Sequence, residues 1–288
     1  MSKGASLARI AVLYLVAAGA GLAWLLVGPA TPWLVLDTLL ADVVATLVVF
    51  AGSRLWGSSS CYDAWWSVAP PLLLAWWWVE RDPGADPVRL GLVALVVGLW
   101  AARLTANWAI TYPGLPHEDW RYPLLRARAP RAALLVDLTG VHLVPTLQVF
   151  LATLPVLVVT LSAREVGWLD ALALVVGLGA VLLQHVSDRQ LHRFTRTRTP
   201  GRVLDAGPWA WSRHPNYFGE LLFWVSVALF GLAAAPGLWW WVLPGPVLVL
   251  AILLGASIPM MDARSLERRP GYQEVIDRVP ALVPRPPR

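Results

Sequence analysis

The sequence predicts an all-α integral membrane protein, a polytopic bundle of about eight transmembrane helices. Of its 288 residues, 57% are hydrophobic and only 14% are charged, whereas a soluble domain is roughly 25% charged. Several apolar runs also reach the ~20 residues that a helix needs to cross a bilayer. Because these runs are spread evenly, we expect one membrane domain over residues 1–288, with four helices in 1–130 and the others in 131–288.

Eight apolar segments follow one another along the chain, at about residues 8–28, 33–54, 61–79, 87–111, 133–162, 166–190, 215–235 and 238–259. Arginine is concentrated after every second segment, and the alternate connections hold only Arg81, Arg89 and Arg164. By the positive-inside rule, the arginine-rich connections and both termini are cytoplasmic. An odd number of spans would break this alternation, so we prefer eight to seven. Pro244 and Pro246 can kink or break the last span.

Several classes of protein and site are excluded by composition. The single cysteine, Cys61, excludes an intramolecular disulfide and a cysteine zinc cluster. His185, Asp188 and His192 lie at one predicted helix end without an HExxH context, so we predict no metal site. The basic residues lie between apolar segments and not on a soluble face, which argues against nucleic acid as a partner. Richness in Arg, Ala, Leu, Val and Trp suggests a bacterial cytoplasmic membrane.

The stretch 201–220, GRVLDAGPWAWSRHPNYFGE, is the most informative part of the chain. If a helix begins at its second proline, Asn216 and Glu220 lie one above the other on the same helix face. Glu220 then lies about one turn inside an apolar span, where a carboxylate is costly and by default indicates a functional site. Arg202 and Arg213 flank the same place and can hold phosphate groups.

Polar residues elsewhere in the spans leave alternatives open. Asp37 and Asp42 in the second span are expected to hydrogen-bond between helices more readily than to act as catalysts. Tyr62 and Asp63 begin the third predicted span. A phenol beside a carboxyl can deliver a proton to a substrate oxygen, but a helix-capping Asp with an interfacial Tyr is the structural alternative.

The polar segments also carry a resemblance to a known family. SRHPNYFGE, the apolar run LLFWVSVALFGL and SIPMMDARSLERRPGY resemble the C-terminal region of steroid 5-alpha-reductase-like membrane proteins, in the bacterial branch called DUF1295, a domain of unknown function. YDAWWSVAP and HEDWRY fit that branch as well. The resemblance implies cytoplasmic cofactor-binding loops, with NADPH held between helices and loops. A Rossmann domain is not indicated, since no GxGxxG follows a strand.

The resemblance also implies roles for individual residues. Asn216 and Glu220 match residues that contact the nicotinamide, and Asp188 matches an acidic residue near the cofactor. Tyr62 and Asp63 resemble, by position, the acidic residue that contacts the substrate carbonyl. No tyrosine matches the one that the reductases carry in the next span. The expected catalytic residues are Tyr62, Asp63 and Glu220. The residues expected to contact the cofactor are Asn107, Asp119, Asp188, Arg193, Arg202, Arg213, His214, Asn216, Tyr217, Glu220, Arg268 and Tyr272.

The expected function is therefore an NADPH-dependent reductase that transfers hydride to an activated C=C bond of a hydrophobic enone, sterol-, terpenoid- or lipid-like, which enters from the bilayer. One alternative is an S-adenosylmethionine-dependent lipid or isoprenylcysteine methyltransferase of similar fold, because RHPNYFG contains part of the RHP-x-Y-x-G loop of those enzymes. Another is a lipid-binding membrane protein without enzymatic activity. Binding of NADPH, of S-adenosylmethionine or of neither distinguishes the three.

Overall fold

The protein is helical throughout the part of the chain that its structure, a computed structural model, describes, which is residues 1–197 and 201–286. Besides short turns, the helices are α1 (Lys3–Val27), α2 (Leu34–Trp56), α3 (Trp65–Val79), α4 (Pro87–Thr111), α5 (Arg121–Arg128), α6 (Pro130–Thr160), α7 (Trp168–Thr197), α8 (Pro215–Ala234), α9 (Pro236–Arg268) and α10 (Tyr272–Arg278). Within those residues, seven helices are long and apolar enough to cross a membrane: α1, α2, α4, α6, α7, α8 and α9. The chain is an all-α polytopic membrane protein, as predicted.

The third predicted span, 61–79, differs from expectation. It forms a short turn and then α3, whose 15 residues fall below the ~20 that cross a bilayer, so eight is one more than the number of long apolar helices described. Before α3, Tyr62 bonds to Thr146 in α6. After α3, the Asp82 N–H donates to the carbonyl of Thr160, the last residue of α6. Each end of the third segment is therefore joined to α6 by a hydrogen bond.

Two other helices are longer than predicted. α7 continues to Thr197 and not only to about residue 190, so the connection that follows it is shorter. α9 continues to Arg268 instead of ending near residue 259, which makes Asp262 helical and not part of a tail. The expected proline interruption is present in α9, since Pro244 begins a new helical segment after Trp239–Val242.

The chain forms two compact units, each built from two stretches: Met1–Glu80 with Ala101–Thr153, and Arg81–Trp100 with Leu154–Arg288. We refer to them as unit 1 and unit 2. The single membrane domain remains a prediction, and the expected division at residue 130 does not coincide with the boundary of either unit.

In unit 1, an ionic network fastens the HEDWRY segment. Arg126 binds Glu118 through both of its terminal nitrogens, and one of them, Nη1, also contacts Asp137 at 3.1 Å. Arg54 also contacts Asp137, at 2.8 Å. Burial raises the pKa of Glu118, but the Arg126 hydrogen bond and the Ser59 N–H outweigh it, so the pKa lies below its usual value. The ion pairs of Arg126 with Glu118 and Asp137 therefore hold the segment between α4 and α5 in place.

In unit 2, α7 and α8 cross very closely because glycines lie at their contact. A Cβ added to Gly219 would lie 2.6 Å from the Cγ of Gln184. One added to Gly177 would lie 2.5 Å from the Ser226 hydroxyl oxygen. That hydroxyl donates to the carbonyl of Ala173 at 2.6 Å. Small residues allow such close backbone approach between membrane helices, and here they bring polar side chains of α7 against those of α8.

Candidate functional site

Glu220 is the centre of a polar site in unit 2. α8 begins at Pro215, as the sequence predicts, because proline suits the first helical turn. One Glu220 carboxylate oxygen, Oε2, accepts hydrogen bonds from Trp100 Nε1 at 3.1 Å and Gln184 Nε2 at 2.8 Å. The other, Oε1, accepts from Trp224 Nε1 at 2.8 Å. An ionised carboxylate is an acceptor only, so these N–H groups suit its charged form within an apolar span.

Stacked rings fix the two indole donors. The ring of Trp100 lies parallel to that of Phe223, with centroids 4.3 Å apart and planes at 3°. It meets Trp224 edge to face at 5.2 Å. All three rings are almost completely buried, and offset stacking and edge contacts of this kind are favourable. The directions of both indole N–H groups are therefore set by packing, independently of the carboxylate that they bind.

Gln184 is a member of this site that the sequence did not single out. Its side chain is buried, and its Oε1 has no hydrogen-bond partner within the described residues. The hydroxyl of Ser187, one turn further along α7, is also buried and without a partner there. Buried polar atoms are normally paired, so an unpaired acceptor beside Glu220 indicates a place for a donor from a ligand. The signal available in the sequence was a glutamine in an apolar run, one turn before Asp188.

Asn216 and Asp188 meet beside this site, joining two residues that the sequence predicts to bind a cofactor. The Asn216 amide donates to Asp188 Oδ1 at 3.2 Å. Its own oxygen accepts the backbone N–H of Tyr217 at 3.1 Å. The predicted pair Asn216 and Glu220 thus occupies α8, and both face partners on α7.

Asp262 in α9 gathers three other predicted residues. Its carboxylate accepts from Arg213 at 2.8 Å, from the Tyr272 hydroxyl at 2.8 Å and contacts His214 Nε2 at 3.1 Å. The His214 ring stacks on Tyr217, with centroids 5.3 Å apart. These contacts tie the residues before α8 to the end of α9 and the beginning of α10.

The remaining donors of Arg213 go to the C-terminal segment. Its NH1 group donates to the carbonyls of Val279 at 2.6 Å and Ile276 at 3.3 Å. Ser212 likewise donates to the carbonyl of Leu282 at 2.8 Å. Arg213, predicted to contact a phosphate, is thus engaged with its own chain, whereas the predicted residues Arg193, Arg202 and Arg268 are exposed.

Four predicted site residues, Tyr62, Asp63, Asn107 and Asp119, belong to unit 1. Asn107 is half-buried in α4. Asp119 pairs with Arg121 at 2.8 Å. Asp63 does not cap α3, because Ala64 occupies the N-cap position without a side-chain bond. The structural alternative for Asp63 is therefore wrong.

Asp63 instead accepts a hydrogen bond from the hydroxyl of Tyr122. Burial raises the pKa of Asp63 to about 6, although the Tyr122 hydrogen bond opposes the rise. The pKa of Tyr122 is raised as well, by burial and then by the negative charge of Asp63. A carboxyl with such a pKa can hold or release a proton near neutral pH.

Tyr112, directly after α4, is a second tyrosine near Asp63 that the sequence did not select. It is 4% exposed, and its hydroxyl has no hydrogen-bond partner in the part of the chain that is described. Burial and then the charges of Cys61 and Asp63 raise its pKa. The sequence shows no tyrosine around Leu99–Arg103, but Tyr112, the residue directly after α4, lies close enough to Asp63 for that charge to raise its pKa.

The fold and its partly buried carboxylate site define a class: a polytopic membrane protein with ionisable groups held among its helices, which are by default functional. The chain belongs to the family described as "Protein of unknown function (DUF1295)", which matches residues 49–279. It is similar to an uncharacterized protein of Schizosaccharomyces pombe, with 27% identity over 84% of this chain and 79% of the relative. No solved structure gives a significant match.

Proposed function

We propose that the protein is a membrane-embedded reductase that uses NADPH to reduce an activated C=C bond of a hydrophobic enone. Its membership of the family defines no activity. Support comes from the resemblance of SRHPNYFGE to steroid 5-alpha-reductase-like proteins and from the contacts of that motif in unit 2. The dinucleotide, when bound, supplies the hydride, and the protein supplies binding, orientation and polarisation.

The observation that carries the proposal is the set of groups around Glu220. A nicotinamide carboxamide presents an N–H₂ donor and a carbonyl acceptor. The unpaired Oε1 of Gln184 suits the donor, and the hydroxyl of Ser187 suits either group. Glu220 fixes Gln184 through the opposite end of its amide. Leaving the Gln184 oxygen unpaired would cost free energy, which binding of a carboxamide would recover.

The phosphates of the dinucleotide are assigned to exposed arginines of unit 2. Arg193 lies on α7, Arg202 between α7 and α8, and Arg268 at the end of α9. Guanidinium groups bind phosphate oxygens in pairs. Arg213 has a different role in this proposal, because its donors already hold Asp262 and the C-terminal segment. It would shape the site without touching a phosphate.

The expected role of Tyr62 and Asp63 in polarising a substrate oxygen stays a prediction, and unit 1, taken by itself, offers groups suited to that chemistry. Asp63, in contact with Tyr122, can take up or release a proton near neutral pH. The hydroxyl of Tyr112 has no protein partner among the residues described, so its proton is available for an oxygen of the substrate. Tyr62 is less suited, because its hydroxyl is bound to Thr146 at 2.8 Å.

The location is proposed to be a bacterial cytoplasmic membrane, with both termini and the arginine-rich connections in the cytoplasm. The distribution of arginine supports this orientation.

Binding to the purified protein in lipid nanodiscs tests the proposal. NADPH, NADH and S-adenosylmethionine are titrated separately, with quenching of tryptophan fluorescence as the readout. We expect NADPH to bind to the wild-type protein and its affinity to fall at least ~tenfold in Glu220→Gln. The amide of the new glutamine would place an N–H₂ donor against the N–H donors that bind the carboxylate of Glu220. Glu267→Gln, an exposed site on α9, is the matched control. Binding of S-adenosylmethionine but not NADPH by the wild-type protein would favour the methyltransferase, and binding of none would reject both enzymes.

A further inference from the structure

A second buried polar cluster lies in unit 1 and takes no part in the proposed reduction. It consists of Asp42 and Thr46 on α2, Tyr62 before α3, and His142 and Thr146 on α6. Asp42 and Thr46 are one helical turn apart, as are His142 and Thr146, so each pair shares a helix face. Thr46 meets Thr146 across the two helices, the Tyr62 hydroxyl also bonds to Thr146, and the Tyr62 ring lies 5.0 Å from that of His142. We call this set the Asp42 cluster.

The hydrogen-bond donors of the Asp42 cluster are all used within the protein. The Thr146 hydroxyl donates to the carbonyl of His142 at 2.9 Å. Because that uses its only proton, the hydroxyls of Tyr62 at 2.8 Å and Thr46 at 2.9 Å must donate to Thr146. The indole N–H of Trp65 in turn donates to Thr46 at 3.3 Å.

The imidazole of His142 follows the same pattern. Its Nδ1 lies 2.8 Å from the backbone carbonyl of Asp137, which can only accept, so Nδ1 carries the proton. In the neutral ring Nε2 is then an acceptor. Nε2 is buried and has no partner in the described chain.

When Asp42 is ionised, the unsatisfied groups of the cluster are acceptors. Besides His142 Nε2, the carboxylate oxygen Oδ2 of Asp42 is buried and has no hydrogen-bond partner among the residues described. A buried polar group without a partner is costly, and a buried carboxylate more so. The cluster therefore complements a group that brings donors and has no need of acceptors.

We infer that the Asp42 cluster binds the ammonium group of an apolar amine. Such a group carries only donors, and its positive charge balances the carboxylate of Asp42. Aromatic rings, such as those of Tyr62 and Trp65 in and beside the cluster, also attract cations. Asp42 is 6% exposed, whereas Thr46 and His142 are 0% exposed, so an ammonium group that enters the cluster would reach residue Asp42 first.

Two other occupants fit less well. A neutral alcohol has one donor, but it leaves the charge of Asp42 unbalanced. A metal ion needs several anionic or carbonyl ligands, and no group of at least three His, Cys, Asp or Glu side chains able to hold one occurs among the residues that the structure describes. An amine site also differs from the proposed reductase site, since none of the residues around Glu220 contributes to it.

Calorimetric titration of the purified protein at pH 7 with 2-phenylethylamine and with 2-phenylethanol tests the inference. At this pH the amine is protonated. We expect the wild-type protein to bind the amine at least ~tenfold more tightly than the alcohol. Asp42→Asn should remove that preference, and Asp37→Asn should preserve it. Asp37 lies on the same helix, but its carboxylate accepts the backbone N–H of Thr31, which makes it a matched control.

The wild-type comparison stands even if Asp42→Asn does not fold. Equal affinity for amine and alcohol overturns the inference, as does amine binding by Asp42→Asn at wild-type affinity. A separate titration of the protein with sodium chloride, without the amine, checks the metal alternative. Saturable binding of sodium with no binding of the amine would assign the cluster to a metal cation and overturn the amine site. None of these results depends on NADPH binding, so the proposed reductase can fail independently.

Discussion

Gln184 and Glu220 are joined by one hydrogen bond that leaves the other half of the amide available. Gln184 Nε2 donates to Glu220 Oε2 at 2.8 Å, while Gln184 Oε1 has no partner within the described chain. The carboxylate therefore determines which end of the amide points away from it. An amide held in this way can accept a hydrogen bond from a ligand only at its oxygen.

Replacing Gln184 with methionine separates binding from stability. The variant loses a hydrogen bond to a charged group, typically about 1.5–3 kcal/mol, but it also removes an unpaired buried oxygen that costs about 1–3 kcal/mol. We therefore expect the free energy of unfolding to change by less than about 2 kcal/mol. NADPH affinity, measured by fluorescence titration, should fall at least ~tenfold.

The control for Gln184→Met is Gln148→Met, at a half-buried glutamine on α6 in unit 1. It should leave NADPH affinity unchanged. Wild-type NADPH affinity in Gln184→Met would show that the unpaired oxygen does not contact the cofactor.

The close crossing of α7 and α8 gives a second prediction. In Gly219→Ala the new Cβ would lie 2.6 Å from Gln184 Cγ and 3.1 Å from the carbonyl of Ala180. Overpacking of this kind costs about 1–3 kcal/mol, and relief by moving Gln184 would break its bond to Glu220. We expect both a lower unfolding temperature and weaker NADPH binding.

The matched control is Gly179→Ala, on α7. A Cβ there meets nothing within 4 Å, and alanine favours helix by up to about 1 kcal/mol. The unfolding temperature should therefore stay the same or rise. If Gly179→Ala destabilises as much as Gly219→Ala, the crossing is not what makes Gly219 sensitive.

The sequence predicted most of the fold but only part of the candidate site. Apolar runs and prolines located the long helices, including the start of α8 at Pro215. They misjudged α3, because periodicity and composition do not give the length of a helix that follows a turn. Gln184 and Tyr112 were missed since their importance depends on which atoms lack partners, and this is a property of packing between distant segments.

The raised pKa of Asp63 predicts that the free energy of unfolding depends on pH. Burial raises its pKa from the usual 3.8 to about 6. The folded state thus binds a proton more tightly than the unfolded state, and its extra stability is complete below about pH 4 and lost as the pH rises through about 6. A rise of that size corresponds to at most about 3 kcal/mol.

The measurement compares the unfolding free energy of the wild-type protein and Asp63→Asn from pH 4 to pH 7. As the pH rises, the unfolding free energy of the wild-type protein should fall relative to that of Asp63→Asn, because asparagine does not titrate. Asp205→Asn, at an exposed position, should run parallel to the wild type. Parallel curves for Asp63→Asn as well would mean that Asp63 titrates alike in the folded and unfolded chains.

Arg213 and Arg202 are predicted to have opposite phenotypes. Arg213 is 10% exposed and pairs with Asp262, which is 13% exposed, and removing one partner of a buried pair costs about 3–5 kcal/mol. In Arg213→Met the C-terminal segment should detach, so trypsin should cut faster at Arg278, in α10. Arg202→Met removes an exposed guanidinium, and it should weaken NADPH binding while trypsin cleavage stays at the wild-type rate. If Arg213→Met is cleaved at the wild-type rate but loses NADPH affinity, Arg213 binds a phosphate as the sequence predicts. A side chain that only holds the C-terminal segment cannot affect the ligand while that segment remains in place.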